Sequence, residues 1–134
     1  MCIRDRWHSD PSGNYQGMAG ICMKAEDLSK LARLLVHKGT WKGVEILVRK
    51  VLDETIFSVP QEPERGFSFW PIESQGQIVG WEANGSLGQY LAIFPESQLS
   101  AIRLIEPERH MSKSDDFNDF ISLVTKLHFE IVEE

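Results

Sequence analysis

From Gly66 onward the apolar residues recur with a period of two, the spacing at which a pleated chain turns alternate side chains to one face. Four runs carry the pattern: Gly66–Pro71, Gln77–Ala83, Leu87–Phe94 and Leu99–Ile105. The links at Glu73–Gly76, Asn84–Ser86 and Pro95–Gln98 are too short for a parallel crossover, which takes a dozen residues or more. The expectation is an antiparallel meander in chain order. Within Leu87–Phe94 both alternate faces are largely apolar, with Leu87, Leu91 and Ile93 on one and Tyr90, Ala92 and Phe94 on the other. Such a sheet needs cover on both sides.

Helical periodicity supplies that cover. In Glu26–Lys38, Leu28, Leu31, Ala32 and Leu35 share one face, Glu26 and Asp27 suit the positive N-terminal end, and His37, Lys38 and Gly39 suit the C-terminal end. Thr40–Gly43 reads as a turn. A weaker pattern follows over Val48–Val59, through Val51, Leu52, Thr55, Ile56 and Val59, and Pro60 ends it. Gln61–Arg65, polar and holding Pro63, reads as a surface connection. The last helix spans Ser114–Glu130, opening on Ser114, Asp115 and Asp116 and carrying Phe117, Phe120, Ile121, Val124 and Leu127 as its stripe. It should pack on one face of the sheet, while Glu26–Lys38 covers the other or belongs to a neighbouring lobe. The fold class is therefore α+β: a four-stranded meander with a C-terminal helix on it and one or two helices before it. Trp7–Gly20 reads as a loop with a turn at Asp10–Gly13, and no core strand begins there.

A chain of 134 residues, 42% apolar and 25% charged, has enough material for one core. Its net charge of -6, with 14 scattered Lys and Arg, argues against nucleic acid and against anionic membrane surfaces as partners. No apolar run approaches the ~20 residues needed to span a bilayer. Cys2 and Cys22 are too few for a disulfide framework and form no Cys-x-x-Cys pair, so Cys22 is expected to be a small packed thiol. The opening MCIRDR resembles read-through of a sequencing adapter, so residues 1–6 are set aside as non-native and 7–134 are taken as part of one domain.

A catalytic centre is hard to find. No Ser-x-x-Lys is present, in which a lysine one helical turn on takes the serine proton, and no Gly-x-Ser-x-Gly elbow. Gly85, Ser86, Leu87 and Gly88 have the wrong spacing, so Ser86 is a poor nucleophile. His8, His37, His110 and His128 do not form a zinc-peptidase pair, and no cofactor or metal is implied. His37, Lys38 and Gly39 mimic a His-x-Gly motif but fall where a helix must end, with Gly39 as the cap.

Two blocks carry a resemblance. WEANGSLGQYLAIFPESQLSAIRL (81–104) resembles the stretch after the third active-site motif of the serine β-lactamase-related hydrolases, the family of class C β-lactamases and penicillin-binding proteins. GMAGICMKAEDLSKLARLLVHKGTWKGVEIL (17–47) resembles the same family's Gly-rich turn, Asp-Leu-containing helix and Gly-x-Trp-x-Gly loop, in the same order. The resemblance implies the C-terminal part of a β-lactamase-like domain that hydrolyses a small amide or ester through an acyl-serine. The nucleophile and the family's Tyr-x-Asn motif would come from the N-terminal half of the domain, which this chain would need as its partner. In the family, strands from that half complete the sheet beside the strand matching Leu99–Ile105, which would otherwise be an open edge. A periplasmic or other extracytoplasmic location is compatible with it.

The position of the third motif, Lys-Thr-Gly, Lys-Ser-Gly or His-x-Gly in the family, matches Ala83, Asn84 and Gly85. Alanine removes the positive charge that relatives aim at a substrate carboxylate, which argues for a non-lactam substrate. The N–H of Ser86 matches one donor of the oxyanion hole. On local chemistry alone, Asn84 and Gly85 read as a hairpin turn with positive φ. Trp70 and Trp81 are expected in the core, with a place in the cleft wall as the alternative for each, and Gln89 either faces a polar cleft or bonds to backbone. Lys24 stands where relatives carry a capping Ser or Thr, so the helix start should be frayed. The alternative to an enzyme piece is a noncatalytic ligand-binding or interaction module of the same fold, built around Asn84 and Trp81.

Overall fold

The computed structural model describes residues 6–16, 20–58, 69–106, 108 and 117–133. Its centre is an antiparallel sheet of four strands in chain order: β5 (Trp70–Ser74), β6 (Gln77–Asn84), β7 (Tyr90–Phe94) and β8 (Leu99–Arg103). The meander expected from the period-two pattern is therefore present, although its first strand runs on past Pro71 to Ser74. The Gln75-Gly76 pair is the reason. Both residues have positive φ, which makes the tight two-residue hairpin whose twist suits antiparallel strands, so Glu73 and Ser74 remain in β5. Residues 66–68 of that expectation lie outside the described residues.

All five residues of β7 are buried. Tyr90, Ala92 and Phe94 join Ile72 on one face, where α3 (Phe117–Glu133) lays down Phe120, Ile121 and Val124. Leu91 and Ile93 face the opposite way, onto Ala32, Leu35 and Val36 of α1 (Ala25–Val36) and Leu52 of α2 (Arg49–Thr55). The early helix thus covers the second face of the sheet rather than leaving it to another lobe. Sheet positions Trp81, Ala83 and Ile102 pack at the border of this second core.

Helix α1 differs from its expected stripe at one place: Leu31 is 38% exposed, and Val36 is buried instead. Its start has no side-chain cap at Lys24, as the sequence suggests. Its end is a Schellman motif, in which the N–H of Gly39 bonds to the Leu34 carbonyl and that of Lys38 to the Leu35 carbonyl. The left-handed residue at the cap is Lys38 (φ 49), with Gly39 (φ 89) one step beyond. Gly39 has a further reason to be glycine, since a Cβ there would lie 2.1 Å from the Leu47 carbonyl oxygen. That close approach turns the chain into the hairpin of β3 (Thr40–Trp41) and β4 (Val44–Glu45) and delivers α2 to the core. Helix α2 stops at Thr55, short of the expected Val59, which lies outside the described residues.

Before α1, β1 (Arg6–Trp7) pairs with β2 (Ile21–Cys22) around a loop turned at Asp10–Gly13, so the loop reading needs a short surface ladder added. Cys22 is disulfide-bonded, a correction to the packed-thiol expectation. A two-residue ladder whose neighbour Ile21 is 54% exposed offers no core in which to bury a thiol. Trp70 is also corrected: it lies 41% exposed on edge strand β5.

Glycine is required in β6 at Gly80, where a Cβ would meet the Ile93 carbonyl oxygen at 2.7 Å and the Phe94 ring at 2.7 Å. Gly80→Ala is expected to cost about 1–3 kcal/mol by overpacking, and Phe94→Ala about 3–5 kcal/mol by cavity formation. Leu123→Ala, on the exposed side of α3, should change stability by less than about 0.5 kcal/mol. Urea midpoints at constant m-value check all three.

Candidate functional site

The bend between β6 and β7 brings most of the sequence-predicted positions together. Ala83 is half-buried at the margin of the α1 core, paired with Leu91, whereas Asn84, Gly85 and Ser86 are exposed. The turn is not the expected Asn-Gly hairpin. Gly85 is extended (φ -92, ψ 165), and positive φ falls instead at Leu87 (59) and Gly88 (75), within a single tight turn over Ser86–Gly88. Asn84 remains in β6 because it is still paired with Tyr90, so the strand outlasts the local turn preference of Asn-Gly. Glycine at 85 has a steric reason: a Cβ would sit 3.0 Å from that of Gln89.

Hydrogen bonds fix the bend from several directions. Gly85 N–H donates to the Gln89 carbonyl at 2.9 Å, and Arg103 Nη1 donates to the Gly88 carbonyl at 2.8 Å. The Gln89 amide acts as a surrogate strand partner: its Nε2 donates to the Ile105 carbonyl (2.8 Å) and the Leu87 carbonyl (3.2 Å), while its Oε1 accepts the Ile105 N–H (3.3 Å). Of the two readings open for Gln89, bonding to backbone is the one observed. Asn84 Nδ2 donates to Glu82 Oε1 at 2.9 Å, and the Tyr90 hydroxyl donates to the other Glu82 oxygen. Burial, and then the Glu82 carboxylate, push the Tyr90 hydroxyl far above the usual phenol range. Tyr90 is therefore a permanent donor here, not a base.

Glu82, Tyr90 and Arg103 were not legible as site residues. Each is polar in a strand, but only the register Tyr90↔Arg103 and Glu82↔Ala92 places them beside one bend. No hydrogen bond joins the Ser86 hydroxyl to an imidazole or an ammonium among the described residues.

A concavity of about 280 Å³ lies elsewhere on β6, lined by Lys38, Phe57, Ile78, Val79, Trp81, Pro95 and Glu96. Trp81 is common to it and to the predicted set; Ala83, Asn84, Gly85, Ser86 and Gln89 do not line it. The Trp81 ring meets Phe57 edge-on (5.0 Å, 76°), and among the described residues its buried indole N–H has no hydrogen-bond partner. Among the described residues no helix is long and apolar enough to cross a membrane. No protein-family model matches the chain, and no curated protein matches it.

Gln89→Ala is expected to cost about 1–3 kcal/mol, because the Ile105 backbone loses both its partners. Gln89→Glu should do no better, since a carboxylate cannot donate to the Ile105 and Leu87 carbonyls. Amide exchange at Ile105 should accelerate in both variants; unchanged exchange would contradict the surrogate-strand role.

Proposed function

We propose that the chain is the C-terminal portion of a serine hydrolase acting on an amide or ester, in which β6 edges the cleft and the Ser86 N–H is one oxyanion donor. The observation that carries this reading is the bend at Asn84–Gly88, exposed over Asn84–Leu87 and held by backbone and side-chain hydrogen bonds between two adjacent antiparallel strands. A donor aimed at developing negative charge is effective only if it is fixed before the reaction, and such a donor is worth about 3 kcal/mol. The packing gives further support. The two blocks that carry the family resemblance, one in α1 and one in β6–β8, build a single core through Ala32, Leu35, Val36, Leu91 and Ile93. Among the described residues strand β8 forms an edge of the sheet, a place where the strand of another segment can add.

In this reading the serine, its base and the second oxyanion donor come from polypeptide outside the chain. A specific observation favours a second reading as well: the Trp81 concavity, with Lys38 and Glu96 beside its apolar lining, suits a noncatalytic module that binds a small ligand. The two differ in what the isolated chain and its gene should show. The 134-residue chain should neither turn over p-nitrophenyl esters or a chromogenic cephalosporin nor be labelled by a fluorophosphonate, and in-frame DNA upstream of Trp7 should encode Ser-x-x-Lys. Labelling of Ser86, or a genuine stop codon immediately upstream, would overturn the hydrolase-portion reading.

A further inference from the structure

Helix α3 is attached to the sheet unevenly. Phe120, Ile121 and Val124 are only half-buried, Leu127, Ile131 and Val132 are 44, 40 and 42% exposed, and the one side chain of α3 among those described that is fully buried is His128, at 1% exposure. The C-terminal half of the helix is thus anchored through an ionisable ring. That ring stacks on Phe94 of β7 (4.8 Å, 25°), touches Phe129 (5.1 Å, 55°), and places Nδ1 2.8 Å from Ser97 Oγ in the β7–β8 turn.

We propose that His128 is a proton-sensitive latch, holding the C-terminal half of α3 on the sheet at neutral pH and releasing it in mildly acidic solution. The neutral ring fits its surroundings. It is walled by one aromatic face, and its hydrogen-bond partner is a hydroxyl, which can donate to Nδ1 or accept from it. An imidazolium in the same place must be desolvated, which disfavours it. The charged groups around the ring give little relief. Glu96, in the same turn as Ser97, is exposed and attracts the cation only against the larger effect of burial; β7 contributes Phe94, which does not titrate; on α3, Lys126 and Glu130 are paired with each other at the surface. The Ser97-His128 pair is not a second nucleophile, since Phe94 and the helix leave the ring no face for a substrate.

The sign follows from burial, which holds the imidazole below its ordinary value in the folded chain. Above about pH 6.5 the ring is neutral whether docked or free, and the latch is complete. As pH falls below that value the undocked ring takes up a proton before the docked one, so docking weakens by up to about tenfold per pH unit until the folded-state value is passed. Release would uncover the Phe94 end of the Tyr90, Ala92 and Phe94 face, while Phe120 keeps its edge-on contact with Tyr90.

Hydrogen exchange of the full chain at pH 7.5 and 5.0, corrected for intrinsic rates, reads this directly. Protection over 125–133 should fall about tenfold or more at pH 5.0, should keep that dependence in Ser97→Ala, and should lose it in His128→Phe. Equal protection at the two pH values in the wild type, or the same dependence in His128→Phe, overturns the proposal. Should His128→Phe not fold, the wild-type ring can be titrated by its NMR Hε1 resonance: a midpoint below the free-histidine value is expected, and one at or above it overturns the latch.

Discussion

The burial of β7 on both faces at once is the constraint from which the other features follow. A strand with all five side chains buried cannot lie at the surface of a two-layer structure, so both α1 and α3 must be present for it to exist. Fully burying side chains such as Leu91, Ile93 and Phe94 contributes about 1.5–3 kcal/mol each, which is large beside a typical net stability of about 5–15 kcal/mol. Gly80 belongs to the same constraint, because the Phe94 ring occupies the space where its side chain would stand.

The two ends of this buried strand have different chemistry. At its N-terminal end the backbone leaves the core through the Ser86–Gly88 turn, and polar side chains take over from packing: Arg103 holds the Gly88 carbonyl, and Gln89 holds both backbone groups of Ile105. These residues are half-buried or buried, so their bonds are poorly replaced by water and the bend keeps one shape. At the C-terminal end the Pro95–Gln98 turn meets α3 through Ser97 and His128, where the attachment is one titratable group on an aromatic face. A rigid bend and a pH-dependent helix contact are thus placed about 16 Å apart, the length of five strand residues.

How much of this could be read from residues alone depends on the range of the interaction. Alternation in Tyr90–Phe94 reports its two-sided burial directly, because each face is written in consecutive residues. The stripes of α1 and α3 are similarly local, apart from Leu31 and Leu127, which are exposed while Val36 and His128 are buried, because which residues face inward depends on where the sheet lies against each helix. Turns were less legible. Asn84-Gly85 has the strongest local hairpin chemistry in this region, yet the Tyr90 pairing holds Asn84 in the strand and moves the positive φ to Leu87 and Gly88. Among candidate site residues, Ala83–Ser86 could be placed on a bend by strand limits, whereas Glu82, Tyr90 and Arg103 required the cross-strand register. The Cys22 disulfide was missed because two cysteines give no spacing pattern.

Native-state hydrogen exchange across β7 tests the central claim most directly. With helices on both faces, the Tyr90–Phe94 amides should exchange only through global unfolding, with a denaturant dependence equal to the equilibrium m-value. Exchange of those amides through local fluctuations, independent of denaturant and as fast as in α2, would contradict a strand enclosed on both sides.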